Sequence, residues 1–145
     1  MRVLFVCTGN SARSIMAEAL MEALGAGAVV AASAGSHPTG RVHPLALAQI
    51  ALLPVDPSRF SSKSLECVLA GSSQPFDLVI TVCDNAAGSC GTLPGDPARL
   101  HWGLSDPAAL RDPAEAQRAF AACFADLRER ISLLMPDLPR PAGDG

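Results

Sequence analysis

The sequence predicts an α/β fold with a mainly parallel sheet, on three observations. Short, continuous apolar runs, RVLFV at 2–6 and PFDLVITVC at 75–83, read as strands covered on both faces. Segments with helical spacing of apolar residues lie between and after them. Glycine and proline clusters punctuate the joins.

Taken in order, the strand Arg2–Val6 leads through CTGNSAR to SIMAEALMEAL, a helix over 14–24 that Gly25 and Gly27 stop. A short apolar run at 28–32 reads as a second strand, followed by the turn-rich SAGSHPTG at 33–40. HPLALAQIALL, 43–53, reads as a helix with Pro44 near its start and Pro54 beyond its end. A short helix starts near Ser61 or Ser62, whose hydroxyls can cap it. After the strand at 75–83 comes the glycine-bearing DNAAGSCGTLPGDPAR, then a short strand at LHW, 100–102. The last helix carries the stripe Phe120, Phe124, Leu127, Ile131 and Leu134, with Asp112–Pro113 as N-cap and first residue.

The 145 residues suit a single catalytic domain over 1–136, with a Pro/Gly-rich flexible tail at 137–145. A hydrophobic content of 49% against 17% charged residues supplies a core of ordinary size. The net charge is −3 and the eleven basic residues are scattered, which argues against a nucleic-acid surface or a polybasic membrane anchor. No apolar run approaches the roughly 18–20 residues that span a bilayer, and MRVLFV lacks the length and cleavage site of a secretory signal. A cytoplasmic location is expected. The five cysteines, Cys7, Cys67, Cys83, Cys90 and Cys123, are odd in number, which argues against a disulfide framework.

The stretch VCTGNSARS, 6–14, joins a strand to a helix through a tight loop. Backbone N–H groups of Thr8, Gly9, Asn10, Ser11, Ala12, Arg13 and Ser14 can converge there, and the helix dipole adds positive potential. Such a cradle takes a tetrahedral oxyanion, and the Arg13 guanidinium adds a fork of donors. Cys7 at the base of the loop is then a nucleophile whose thiolate the same dipoles stabilise, with Ser14 as a further donor. The competing reading, a core cysteine and a surface arginine, explains neither the glycine nor the small polar residues between them.

Transfer chemistry at this cradle needs an acid for the departing oxygen, and Asp106 in SDP, after a short strand, is the candidate. Asp-Pro alone is weak, since Asp56, Asp96 and Asp112 also precede proline. Cys83 ends a strand, as Cys7 does, so a parallel sheet brings both to one edge. Cys90 follows in a glycine-rich segment. The residues allow two buried thiols or a thiol relay, and the relay accounts for both placements. Half of a metal site fits poorly, because no CxxC is present and the three histidines are scattered, so no metal is expected.

VCTGNSARS, the SAG at 33–35, TVCDNAAGSC and HWGLSDPA together resemble the thioredoxin-coupled arsenate reductases of the low-molecular-weight phosphatase fold. The likeness runs from about residue 2 to 135. It implies a three-layer sandwich with a four-stranded parallel sheet flanked by helices. It also implies a reaction that converts arsenate to arsenite for arsenic detoxification. Cys7 attacks arsenate held by the loop and Arg13, and Asp106 protonates the departing oxygen. Cys83 attacks Cys7 to release arsenite, and Cys90 then attacks Cys83 to leave a Cys83–Cys90 disulfide. No bound cofactor is implied, only an external thiol reductant, thioredoxin or glutaredoxin. Phosphate and sulfate are expected to occupy the arsenate site.

One departure from the family pattern concerns its structural potassium ion, whose ligands match Asn10, Glu18 and Ser33. The place of the fourth ligand, an aspartate, holds Lys63, the only lysine in the chain. Its ammonium is expected at the cation's position, with activity independent of potassium; an exposed lysine at a helix start is the alternative. Cys67 and Cys123 read as structural, and His37, His43 and His101 have no catalytic company. Trp102 is expected to brace the Asp106 loop. Two rival functions stand beside the reductase: a phosphatase working through a cysteinyl-phosphate, and a non-catalytic oxyanion-binding regulator. The lack of an aromatic beside Asp106–Pro107 weakens a phosphotyrosine role.

Overall fold

A computed structural model describes residues 2–25, 29–71, 74–82 and 97–135. Four strands form one sheet: β1 (Arg2–Cys7), β2 (Val30–Gly35), β3 (Leu78–Thr81) and β4 (Ala98–His101), in the order β2-β1-β3-β4. Every pairing is parallel, with Cys7 level with Gly35 and Val6 level with Thr81. Four helices flank it: α1 (Arg13–Gly25), α2 (Pro44–Ile50), α3 (Leu65–Gly71) and α4 (Pro113–Leu134). This is the α/β sandwich with a four-stranded parallel sheet that the sequence led us to expect.

β1 is apolar without alternation because it is an inner strand: Val3, Leu4, Phe5 and Val6 are all fully buried. The chain leaves β1 to form β2 on one side and later returns to form β3 on the other. That reversal puts a crevice at the carboxyl end of β1, where ligands of open parallel sheets bind. Cys7 is the last residue of β1.

α1 packs against β1, β2, α2 and α4. It therefore buries Ile15, Met16, Ala17, Ala19, Leu20 and Met21, more than one narrow stripe. By contrast α4 buries a single stripe, Phe120, Phe124, Leu127 and Ile131, with polar residues outward. Asp112 caps it by accepting from the Glu115 N–H at 2.9 Å, and Pro113 occupies its first turn.

Several boundaries differ from the sequence reading. β2 runs on to Gly35, because Ser33, Ala34 and Gly35 keep pairing with Phe5, Val6 and Cys7 before the turn begins. α2 ends at Ile50, and the next residues close with Leu52 N–H to Gln49 O and Leu53 N–H to Ile50 O ahead of Pro54. β3 ends at Thr81 and β4 covers 98–101 instead of 100–102. α3 starts at Leu65 under a Ser64 cap, whose hydroxyl accepts from the Cys67 N–H at 3.1 Å. Neither Ser61 nor Ser62 caps it; the Ser62 hydroxyl accepts from the Gly40 N–H and donates to Gly9 O. Cys67 is exposed, so it is no core residue. No helix among the described residues is long and apolar enough to cross a membrane.

Candidate active site

The loop after β1 owes its shape to what holds its carbonyl groups. The carbonyls of Cys7, Thr8, Gly9 and Ser11 accept from the N–H groups of Ser36, His37, Thr39 and His43, at 2.8–3.2 Å. In a planar trans peptide the C=O and the next N–H point in opposite directions. Carbonyls tied outward to 36–43 therefore turn the N–H groups of Thr8, Gly9, Asn10 and Ala12 inward. The Asn10 N–H, on the peptide whose Gly9 carbonyl is held outward, reaches Cys7 Sγ at 3.2 Å. Asn10 adopts φ +46°, a left-handed conformation that asparagine tolerates better than most residues. Gly35 lies so close to the loop that a Cβ there would meet Thr8 O at 2.7 Å.

Cys7 is only 2% exposed. Its sulfur lies 2.9 Å from Ser14 Oγ. Because Ser14 Oγ already accepts from Asn10 Nδ2 at 2.7 Å, its own proton is free for the sulfur. The orientation of the Asn10 amide is set in turn by Lys63, whose backbone N–H donates to Asn10 Oδ1 at 2.9 Å. A thiolate at Cys7 thus accepts from two donors, both fixed by buried asparagine chemistry.

Arg13, the first residue of α1, does not point away to solvent; its side chain is 13% exposed. It donates from Nη1 to Leu104 O at 2.8 Å and places Nη2 3.9 Å from Asp106 Oδ2. The Asp106 loop is thereby drawn to the start of α1. Its approach is braced at the sheet by Trp102 N–H to Thr81 O and Leu104 N–H to Val82 O. Trp102 itself packs on Phe5, with ring centroids 6.2 Å apart. Asp106 uses Oδ1 to cap the short 3-10 turn Pro107–Ala109, through the Ala108 N–H at 3.0 Å. Its other oxygen is the one turned toward Arg13.

Beneath the loop, Lys63 Nζ lies 3.8 Å from Glu18 Oε1 and donates to Ser61 O at 2.9 Å. The same Glu18 oxygen accepts from Ser33 Oγ at 2.5 Å. Burial pushes the Glu18 carboxyl above its ordinary value, against the opposing pull of the Ser33 hydrogen bond and the Lys63 charge. The structure thus brings Asn10, Glu18, Ser33 and Lys63 into one layer. The Lys63 side chain is 25% exposed, and its backbone holds Asn10 through the N–H and Gly35 through the carbonyl. Cys83 and Cys90 lie outside the described residues.

Residues 2–142 match the low molecular weight phosphotyrosine protein phosphatases. The chain belongs to that family. Within it, this phosphatase-family chain is 38% identical over 117 residues to an arsenate reductase of Staphylococcus aureus, covering 80% of this chain and 85% of the relative. A solved arsenate reductase in a phosphate-binding state superposes with TM-score 0.73 at 29% identity, covering 95% and 98% of the two chains. A thioredoxin-dependent arsenate reductase of Corynebacterium glutamicum superposes with TM-score 0.64 at 28% identity, over 94% of this chain and 63% of that one.

In this phosphatase-family chain the sequence reading missed two contributors. Ser62 supports the loop through Gly9 O, at 3.1 Å. His43 supports it through Ser11 O, by a backbone N–H that no side-chain pattern announces. Cys123 packs at the edge of the core and lines a groove of about 360 Å³ with Asp106 and Asp126. Burial pushes its thiol up to about 11, which keeps it protonated and inert at neutral pH.

Proposed function

We propose that the protein is an arsenate reductase serving arsenic detoxification, working by a relay of Cys7, Cys83 and Cys90. The observation that carries this is Cys7 Sγ, held by Ser14 and Asn10 in a loop whose N–H groups turn inward, in a chain 33–38% identical to arsenate reductases of several bacteria. The oxyanion is bound by the N–H groups of the loop 8–14 and by the guanidinium of Arg13. Cys7 thiolate attacks arsenic and forms an S–As bond while Asp106 delivers a proton to the departing oxygen, which leaves as water. Cys83 thiolate then attacks Cys7 Sγ. The S–S bond forms as the S–As electron pair stays on arsenic, which falls from the +5 to the +3 state and leaves as arsenite. Cys90 thiolate next attacks Cys83, freeing Cys7 as thiolate, and an external dithiol reduces the Cys83–Cys90 disulfide.

Support for Cys83 as the second thiol comes from β3, whose continuation at Val82 donates its N–H to Val6 O at 2.9 Å, one residue from Cys7. The thioredoxin dependence of the C. glutamicum enzyme supports thioredoxin as the reductant. The test is arsenite production with thioredoxin, thioredoxin reductase and NADPH for wild type, Cys83→Ser and Cys90→Ser. The relay requires that either substitution abolish multiple turnover; full turnover in either one sinks it. Activity with glutaredoxin and glutathione alone would replace thioredoxin as donor. Phosphatase turnover untouched by both substitutions, with no arsenate reduction, would make the protein a phosphatase; no turnover at all would leave an oxyanion-binding regulator.

The Lys63 ammonium lies 3.8 Å from Glu18 Oε1, which supports its serving in place of a dissolved cation beside that carboxylate. Replacing sodium by potassium is therefore expected to change neither turnover nor melting temperature. A clear rise in either would overturn this assignment.

A further inference from the structure

We propose that His43 is a positioning residue for the oxyanion loop, anchoring its far half to the core of α4. The inference rests on the cradle reading given above. Four N–H groups from 36–43 hold the loop's carbonyls outward, but their own anchorage differs. His37 and Thr39 belong to an exposed turn, and Ser36 precedes it half-buried. His43 is tied down on three sides. Its N–H donates to Ser11 O at 2.8 Å. Its imidazole Nδ1 accepts from the Leu45 N–H at 3.1 Å, capping α2. Its ring stacks on Phe120, with centroids 4.6 Å apart and planes 29° apart. Phe120 is fully buried in α4.

The consequence lies in one peptide group. Holding Ser11 O outward aims the Ala12 N–H into the cradle, because the two belong to one planar unit. The Ala12 N–H belongs to the second half of the loop, next in sequence to Arg13. Of the four struts, the one aiming it is locked by a side chain on both the next helix and the core. The cap uses Nδ1 as its acceptor.

Two properties of the imidazole, acceptor and ring, can be removed separately. His43→Asn keeps a capping acceptor, His43→Phe keeps a ring for Phe120, and His43→Ala keeps neither. Phosphate serves as the probe, its dissociation constant measured by calorimetry on the full chain. Ile131→Ala, a core truncation farther along α4, controls for general loss of stability. His43→Ala is expected to bind phosphate about tenfold more weakly, the equivalent of about 1.4 kcal/mol. Asn and Phe should each recover part of that loss, and Ile131→Ala should bind as wild type does. In arsenate turnover the His43→Ala loss should fall mainly on KM, because the proposed reacting groups Cys7 and Asp106 are untouched. Unchanged phosphate affinity in His43→Ala, or an equal loss in Ile131→Ala, would overturn the inference while leaving the cradle standing. Failure of the wild type itself to bind phosphate would overturn the cradle and this inference together.

Discussion

At the scale of single residues, the sulfur of Cys7 is governed by two neighbours whose identities are not interchangeable. Asn10 Nδ2 donates to Ser14 Oγ on its acceptor side, which leaves the hydroxyl proton directed at the sulfur. Ser14→Ala removes one donor from a charged sulfur, a loss of about 1.5–3 kcal/mol, so arsenate kcat/KM should fall by about 10- to 100-fold in steady-state assays. Glu18→Gln probes the layer below. The raised Glu18 value means the folded state holds its proton to higher pH than the unfolded chain does. Its contribution to stability is therefore most favourable at low pH and declines as pH rises from the unfolded value through the folded one. Denaturation of wild type and Glu18→Gln from pH 4 to 8 should show the wild type losing ground to the variant with rising pH. A constant difference across that range would contradict the assignment. Cys7 and Arg13 were legible in the sequence because strand, loop and helix start are contiguous there. Asp106 was not separable by local pattern, since Asp56, Asp106 and Asp112 all cap a following turn through a carboxylate oxygen. Only the ion pair with Arg13, ninety-three residues away in sequence, sets Asp106 apart from the other two.

At the scale of elements, the sequence read types better than ends. Both inner strands and the periodic α4 were plain, because burial on two faces or on one stripe leaves a repeating trace in the residues. The end of β2 and the start of α3 were misplaced because their serines and glycines carry tertiary duties. Gly35 closes against the loop, and Ser62 supports Gly9. Gly35→Ala should consequently act on both stability and turnover, since the added methyl meets backbone at 2.7 Å. A melting temperature lower by several degrees together with a marked loss of arsenate turnover is the expected pair of results. Asp112→Ala makes the contrast. It removes the α4 cap and should cost about 1 kcal/mol, lowering the melting temperature by about 3 °C. Turnover measured well below that temperature should not change, because the cap lies at neither the loop nor the acid.

Across the whole molecule, one parallel sheet with a reversal of strand order gathers chemistry from distant parts of the chain at a single edge. β1 brings Cys7 and the loop, while the continuation of β4 brings Asp106. The sequence could reveal this convergence only through the order of its motifs, since no local feature records which strands are neighbours. A further consequence follows from the carbonyls of the loop being held by residues 36–43 rather than by the ligand. On the proposed reading the receptor for the anion is preorganised: its donors are oriented before any substrate arrives. Binding then orders little of the chain and buries little apolar surface. Calorimetry of phosphate binding at several temperatures should accordingly give a heat-capacity change close to zero. Lock-and-key recognition of the oxyanion would so be separable from the redox work of the thiols, and Cys7→Ser should keep the first while losing the second.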